Sequence, residues 1–266
     1  MRNQTGSSLN TKKKELKTYQ IDRKKEGIYD TRNRINDLTG KQWTYSTRSV
    51  KTKQYKDLYP KLFLTSNPGI LPIPLIEELL ATFSKSKDFI FDPFSSIGSS
   101  LIANFNLNQP RKMFYSNLNN KKLGLIANSI NLSLEDILRN AVNIETKNIS
   151  NDSYDLIFTQ LYFELLSIEI LSLDFEIQSL LTKLGTIAKT LYNSLKNDKY
   201  LVFSIPNIKL ETDSHYNRQY YHLSKKTSKI MEEENFIPKG EIIWRVPMNL
   251  SHGLNDIRIL VFRKEL

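Results

Sequence analysis

Two short stretches of this 266-residue chain gather side chains able to meet a ligand: Asp92-Pro93-Phe94-Ser95-Ser96-Ile97-Gly98-Ser99-Ser100 and Thr159-Gln160-Leu161-Tyr162-Phe163. The first sets one carboxylate and four serine hydroxyls around a glycine, where an apolar run stops at a proline. Asp92 there either contributes to a ligand site or caps the following helix and orders its own turn. The second joins an amide, whose oxygen can accept a hydrogen bond, to two aromatic rings. Those rings either stack on a planar base or pack into the core at the start of a helix.

Composition removes other chemistries. The absence of cysteine excludes disulfides, thiolate zinc sites and cysteine nucleophiles. His215, His222 and His252 do not fall at ligand spacing, so no metal site is expected. The chain contains no GxxxxGK[ST] phosphate loop, no HExxH helix and no GxSxG elbow. Glu232-Glu233-Glu234 reads as a solvated helix end.

The elements that must position these stretches follow from hydrophobic periodicity. Ile73 to Phe83 has helical spacing after the Asn67-Pro68-Gly69 turn. Phe89-Ile90-Phe91 is a buried strand ended by Asp92-Pro93, since proline cannot continue a ladder. Ile97 to Asn104 reads as a helix, Lys112 to Ser116 as a second strand, Leu123 to Leu132 as a helix and Val142 to Thr146 as a short third strand. Tyr154 to Thr159 is the clearest central strand. Leu165 to Leu195 is helical with a break expected near Ser172; Tyr200 to Ile205 is a strand and Tyr221 to Glu234 a helix. Glu241 to Val246 and Arg258 to Arg263 close the sheet as an antiparallel pair across the Pro247 to Asn255 loop. From Ile28 to Tyr59, with Trp43, Tyr45 and Val50 as anchors, an irregular segment packed on the domain edge is expected. Alternation of strand and helix predicts a doubly wound sheet, whose ligands bind at the carboxyl ends of the strands. That rim holds both stretches.

Charge is uneven. Of the 38 Lys and Arg, 15 fall in residues 1–60 with only 6 of the 28 Asp and Glu, while the rest of the chain is nearly balanced. A basic segment of this kind either displaces counterions from a polyanion, with nucleic acid the natural candidate, or is a solvated leader. Residues 1–30 are expected to form a basic extension, and Lys12, Lys13, Lys14, Arg32, Arg34 and Arg48 are the candidate DNA contacts. With no apolar leader at the N-terminus and no run of eighteen apolar residues, neither secretion nor a membrane partner is expected, and a cytoplasmic location is.

The loop from Asp92 to Ser100 resembles the DPFxGxGTT loop of S-adenosylmethionine-dependent DNA N6-adenine and N4-cytosine amino-methyltransferases. Asn33 to Trp43 and Thr47 to Val50 are similar to a leader in one branch of these enzymes. Tyr154 to Phe163 lies where that family has DLIxTDPPY. Tyr200 to Phe203, Glu241 to Trp244 and Ile259 to Lys264 resemble its later strands, so the likeness runs over about residues 33–264. It implies a doubly wound, seven-stranded Rossmann-like methyltransferase sheet in residues 31–266, preceded by the basic extension. It also implies S-adenosylmethionine as cofactor, held by Asp92, Pro93, Phe94, Gly98 and Asn117, and a catalytic motif at Gln160, Leu161, Tyr162 and Phe163. In that family the motif's polar side chain and the carbonyl of its first proline accept the hydrogens of a flipped base's amino group, and the aromatic ring stacks on the base.

The chain departs from the pattern at several of these places. Gln160 replaces Asp, Asn or Ser, and Leu161 and Tyr162 stand where two prolines belong. A one-residue deletion would instead bring Tyr162 onto the stacking aromatic. Ser96 replaces a glycine, Asn117 the acid that binds the ribose, and Tyr115 a small residue. Loss of one preorganised polar group typically costs about 10²- to 10³-fold in rate. The combination predicts a methyltransferase-like protein that does not methylate and instead binds DNA or a protein partner subunit. The alternative is an active S-adenosylmethionine-dependent methyltransferase with a divergent motif, Gln160 serving as acceptor. About 60 residues between the two stretches leave no room for a separate target-recognition domain there. Deleting residues 1–30 is expected to weaken binding to a DNA duplex and to flatten the dependence of log K on log salt, measured by fluorescence anisotropy at several salt concentrations.

Overall fold

Consecutive residues of the central strands belong to two different apolar cores, and this sets the architecture. Ile90, Leu156, Phe158, Val202 and Ile259 enter one core, while Phe91, Ile157, Leu201, Phe203 and Leu260 enter the other. A strand buried on both faces reads as a continuous apolar run, which is why Phe89-Ile90-Phe91 carries no alternation. Burying one such Phe or Leu contributes roughly 1.5–3 kcal/mol.

The computed structural model describes residues 20–21, 24–25, 30, 32–47, 49–51, 70–145, 149–161, 170–211, 218–245 and 256–265. Its main sheet has eight strands: β1 (Val50–Lys51), β2 (Phe89–Asp92), β3 (Lys112–Tyr115), β4 (Ala141–Asn143), β5 (Tyr154–Gln160), β6 (Leu195–Pro206), β7 (Ile237–Arg245) and β8 (Asp256–Arg263). They lie side by side as β1-β7-β8-β6-β5-β2-β3-β4. Only β8 runs antiparallel to its neighbours, β6 and β7. Strand order reverses between β2 and β5, which defines the switch point of a doubly wound, Rossmann-like sheet. The helices are α1 (Gly40–Ser46), α2 (Ile73–Phe83), α3 (Ser99–Asn106), α4 (Asn120–Ser129), α5 (Leu134–Leu138), α6 (Ile170–Ser194) and α7 (Leu223–Glu233). The first core packs α2 to α5 on one face of the sheet, and the second packs α6 and α7 on the other.

Helix α2 forms as its spacing predicts: Pro74 sits in the first turn, where a missing N–H is harmless, and Ile73, Leu75, Ile76, Leu79, Leu80 and Phe83 are all buried. The expected α/β sheet with an antiparallel final pair is present, with corrections. The sheet has eight strands rather than seven, because Val50–Lys51 adds parallel to Ile243 and Trp244. The segment from Ile28 to Tyr59 is not wholly irregular: α1 starts at Thr39, whose side chain accepts from the Gln42 N–H while the Gln42 side chain accepts from the Thr39 N–H, a capping box. No break occurs near Ser172, since α6 is continuous from Ile170. It passes directly into β6 at Leu195, five residues before the expected strand. The third strand is Ala141–Asn143 rather than Val142 to Thr146, and β7 starts at Ile237, ahead of the expected Glu241.

Glycine has a definite role at position 98. Its φ is +80°, and a Cβ there would stand 2.7 Å from Leu123 Cδ1, which is itself fully buried. Gly98→Ala is therefore expected to destabilise the fold by about 1–2 kcal/mol, from the left-handed backbone and the displaced leucine, read as a lower urea midpoint with unchanged m.

Candidate functional site

The two stretches singled out in the sequence meet at the switch point, where the ends of β2 and β5 lie side by side. Asp92, the last residue of β2, is 2% exposed. Its carboxylate accepts from Thr159 Oγ1 of β5 at 2.8 Å, from the Phe94 N–H at 3.1 Å and from Ser100 Oγ of α3. Asp92 orders its own turn, closing an Asx turn over Pro93, but it does not cap α3: that helix has Gly98 at its N-cap with no side-chain cap bond, and Asp92 reaches it only through the Ser100 hydroxyl. Burial, the largest cause, holds its carboxyl up at about 6 against these donated hydrogen bonds.

Gln160 closes β5 and is 6% exposed. Its Oε1 accepts from the Leu71 N–H at 2.9 Å, and its Nε2 donates to Ser99 Oγ at 2.8 Å. One amide thus spans the approach to α2, the end of β5 and the start of α3. Leu161 is 4% exposed in the second core, and its N–H donates to the Ser204 carbonyl at 2.9 Å. Tyr162 and Phe163 lie outside the described residues.

The loops after β2 and β3 are joined to each other. Ser95 N–H donates to the Ser116 carbonyl, Ser96 N–H to the Asn117 carbonyl, and Asn119 N–H back to the Ser96 carbonyl. Ser96 has φ +45° and Asn117 φ +57°, so two non-glycine residues hold left-handed backbone where these loops meet. The Pro93 carbonyl accepts both Ser116 Oγ and Asn117 Nδ2, each at 2.8 Å. Phe94 is half-buried against the second core, and Tyr115 is 8% exposed in the first. Asp92, Pro93, Phe94, Gly98 and Asn117 are therefore all brought to one rim. At this rim Asn117 Nδ2 faces the Pro93 carbonyl and the Ser95 and Ser96 N–H groups bond the neighbouring loop, while the exposed Asn117 keeps its Oδ1 as an acceptor of the kind a ribose hydroxyl needs.

The candidate DNA contacts lie elsewhere. Asn36 Nδ2 donates to the Thr82 carbonyl, and the Ser86 N–H donates to Asp37 Oδ2 at 2.8 Å, so the segment carrying Arg32 and Arg34 docks where α2 ends, at the amino-terminal end of the sheet. Arg34 is exposed, and Arg32 pairs with Asp30 at 2.8 Å. Lys12, Lys13, Lys14 and Arg48 lie outside the described residues. Among the described residues no three His, Asp or Glu side chains converge as metal ligands would, and no helix is long and apolar enough to cross a membrane. Sequence reading placed Thr159 on the rim but missed Leu71, which acts through its N–H alone and so is advertised by no side-chain pattern.

No protein-family model and no curated protein sequence matches this chain. Among solved structures, it is similar to a candidate DNA modification methylase from Thermus thermophilus complexed with S-adenosyl-L-methionine, at 16% identity and TM-score 0.37, over 46% of this chain and 49% of that one. The chain thus spans about half the length of that protein. An S-adenosylmethionine-dependent methyltransferase from Methanosarcina mazei is similar at 12% identity and TM-score 0.43, over 68% of this chain and 94% of that one. One from Listeria monocytogenes, described as a candidate enzyme of that kind, is similar at 10% identity and TM-score 0.42, over 68% and 92%. Such likenesses carry nothing about ligand or activity.

The buried carboxylate has a measurable signature. Its folded value, about 6, lies above the ordinary 3.8, so between those values the unfolded chain releases a proton that the fold retains. The contribution of Asp92 to stability is therefore highest below pH 4, falls as pH rises to about 6, and is constant above. In Asp92→Asn this loss is expected to vanish, the amide still accepting from Thr159 and donating to Ser100. Urea titrations at pH 4 and pH 7 should show the wild type losing roughly 1–3 kcal/mol more than the variant over that interval.

Proposed function

We propose that this chain is a methyltransferase-like protein that does not transfer methyl groups and acts by binding DNA, alone or as one subunit of a partnership. The observation that carries the reading is the double engagement of Gln160, whose amide oxygen holds the Leu71 N–H and whose nitrogen holds Ser99. A base amine requires an acceptor aimed into an open site. Here the acceptor already serves a buried backbone donor, and releasing it would leave that donor unsatisfied at a cost of about 1–3 kcal/mol. The oxygen keeps a second lone pair, but its position is set by the Leu71 N–H on one side and by the Ser99 contact of its amide nitrogen on the other, which favours a brace of the rim over a receiver of substrate.

Two further features support the reading. The loops of β2 and β3 bond one another through the groups that a methyl donor would have to engage. The excess positive charge of residues 1–60, in the other direction, suits a phosphate backbone. DNA binding is thus proposed from charge, and silence from the internal saturation of the rim.

The test uses the full chain. Incubation with duplex DNA and methyl-labelled S-adenosylmethionine is expected to leave no label in DNA, and calorimetry with the cofactor at high concentration to give no binding heat. Gln160→Ala is expected to lower stability by about 1–3 kcal/mol while changing neither result. Label appearing with the wild type and lost in Gln160→Ala would restore the active-enzyme reading.

A further inference from the structure

On the sheet face that carries the second core, the margin formed by β2, β3 and β4 is only partly covered. Between β4 and β5 the described residues, 144–145 and 149–153, form no helix. Strand register pairs Phe89 with Lys112, Phe91 with Phe114, and Phe114 with Val142, so these side chains share one face. Phe91 is buried there, but Phe89 is 40% exposed and Val142 37%. The rings of Phe89 and Phe114 stand 5.6 Å apart on neighbouring strands. Lys112 Nζ lies 5.7 Å from the centre of the Phe89 ring and 5.5 Å from that of Phe114, and Lys196 Nζ lies 5.6 Å from Phe89.

The charges on this margin are unequal. Asp155 is taken up by Lys196 at 2.8 Å and Lys199 at 3.2 Å, and Asp88 by Lys199 at 3.5 Å. Lys112 is exposed and forms no ion pair among the described residues. An open sheet face with aromatic rings on adjacent strands and ammonium groups against them offers flat π surfaces to bases and cations to phosphates. Duplex DNA hides its base faces in the stack, so the complementary partner is an unpaired strand. An apolar helix docked here would bury Lys112 without a counter-charge, which is costly, whereas a nucleic-acid strand brings a phosphate for the ammonium and a flat base for the ring together.

We propose that the Phe89, Lys112 and Phe114 face of β2 and β3 binds single-stranded nucleic acid, one base stacking on Phe89 and a phosphate lying between Lys112 and Lys196. This rests on the nucleic-acid part of the function proposed above and gives it a place: Phe89 and Lys112 begin their strands, at the end of the sheet opposite the Gln160 rim. Bases held there are not presented to that rim.

The full chain is titrated by fluorescence anisotropy with labelled oligo(dT) of about 12 nucleotides and with a matched duplex. Phe89→Leu keeps the apolar bulk and removes the flat ring; it is expected to weaken oligo(dT) binding roughly 5- to 100-fold. Lys112→Gln should weaken it as well and lower the salt slope by about 0.7. Lys225→Gln, on α7 over the opposite margin of the sheet, should leave binding as in the wild type. If Phe89→Leu fails to melt cooperatively, Lys112→Gln carries the test, since that side chain is exposed and lies outside both cores. Wild-type affinity in both face variants overturns the proposal and leaves the face to a protein partner. Duplex binding without oligo(dT) binding also overturns it, while sparing DNA binding as the general function. Methyl transfer by the wild type would sink the silent-enzyme reading and leave this face untouched.

Discussion

A carboxylate taken out of water between two adjacent strand ends is the constraint around which the functional rim is arranged. Asp92 cannot stay charged there unless donors converge on it, and they come from β5, from α3 and from its own turn. Each donor fixes an element that would otherwise be free to open the crevice at the switch point. Thr159 holds β5 to β2 by side chain as well as by ladder, and Ser100 sets the entry of α3. Gln160, one residue beyond Thr159, extends the same network to Ser99 and to the backbone ahead of α2. The rim is thus joined by side-chain hydrogen bonds across β2, β5, α3 and the backbone ahead of α2.

This helps to rationalise the departures from the methyltransferase pattern as a connected set. An amide longer than the usual acceptor reaches across to Leu71, where a shorter side chain would stop short. Serine at position 96 accepts a left-handed backbone that glycine would adopt freely, and the strain is held by bonds to Asn117 and Asn119. Asn117, also left-handed, turns its amide onto the Pro93 carbonyl.

Much of the fold was legible because the central strands are buried on both faces. Runs such as Phe89-Ile90-Phe91 and Tyr200-Leu201-Val202-Phe203 leave no polar alternation, and α2 advertises itself by spacing and a proline in its first turn. The start of β6 was hidden by Lys196-Asn197-Asp198-Lys199, a polar sequence that reads as a loop yet lies within the strand. Helix α1 was masked by basic and aromatic residues, although Thr39 and Gln42 carry the spacing of a capping box. The rim was legible as a place but not as a mechanism. The partner of Gln160 is a main-chain N–H 89 positions away, and only tertiary structure brings the two together.

The far margin of the sheet has a consequence for how copies of the chain meet one another. β1 pairs with β7 only at Ile243 and Trp244, so among the described residues the stretch from Ile237 to Glu241 has no outer neighbour. Bare strand borders invite identical molecules to zip together into aggregates. Here Pro238 offers no N–H, the register slips between Pro238 and Gly240, and Lys239 engages Glu265 beside them. A second molecule approaching that border would meet an interrupted ladder and a charge, so the chain can leave this strand uncovered without seeding a fibre.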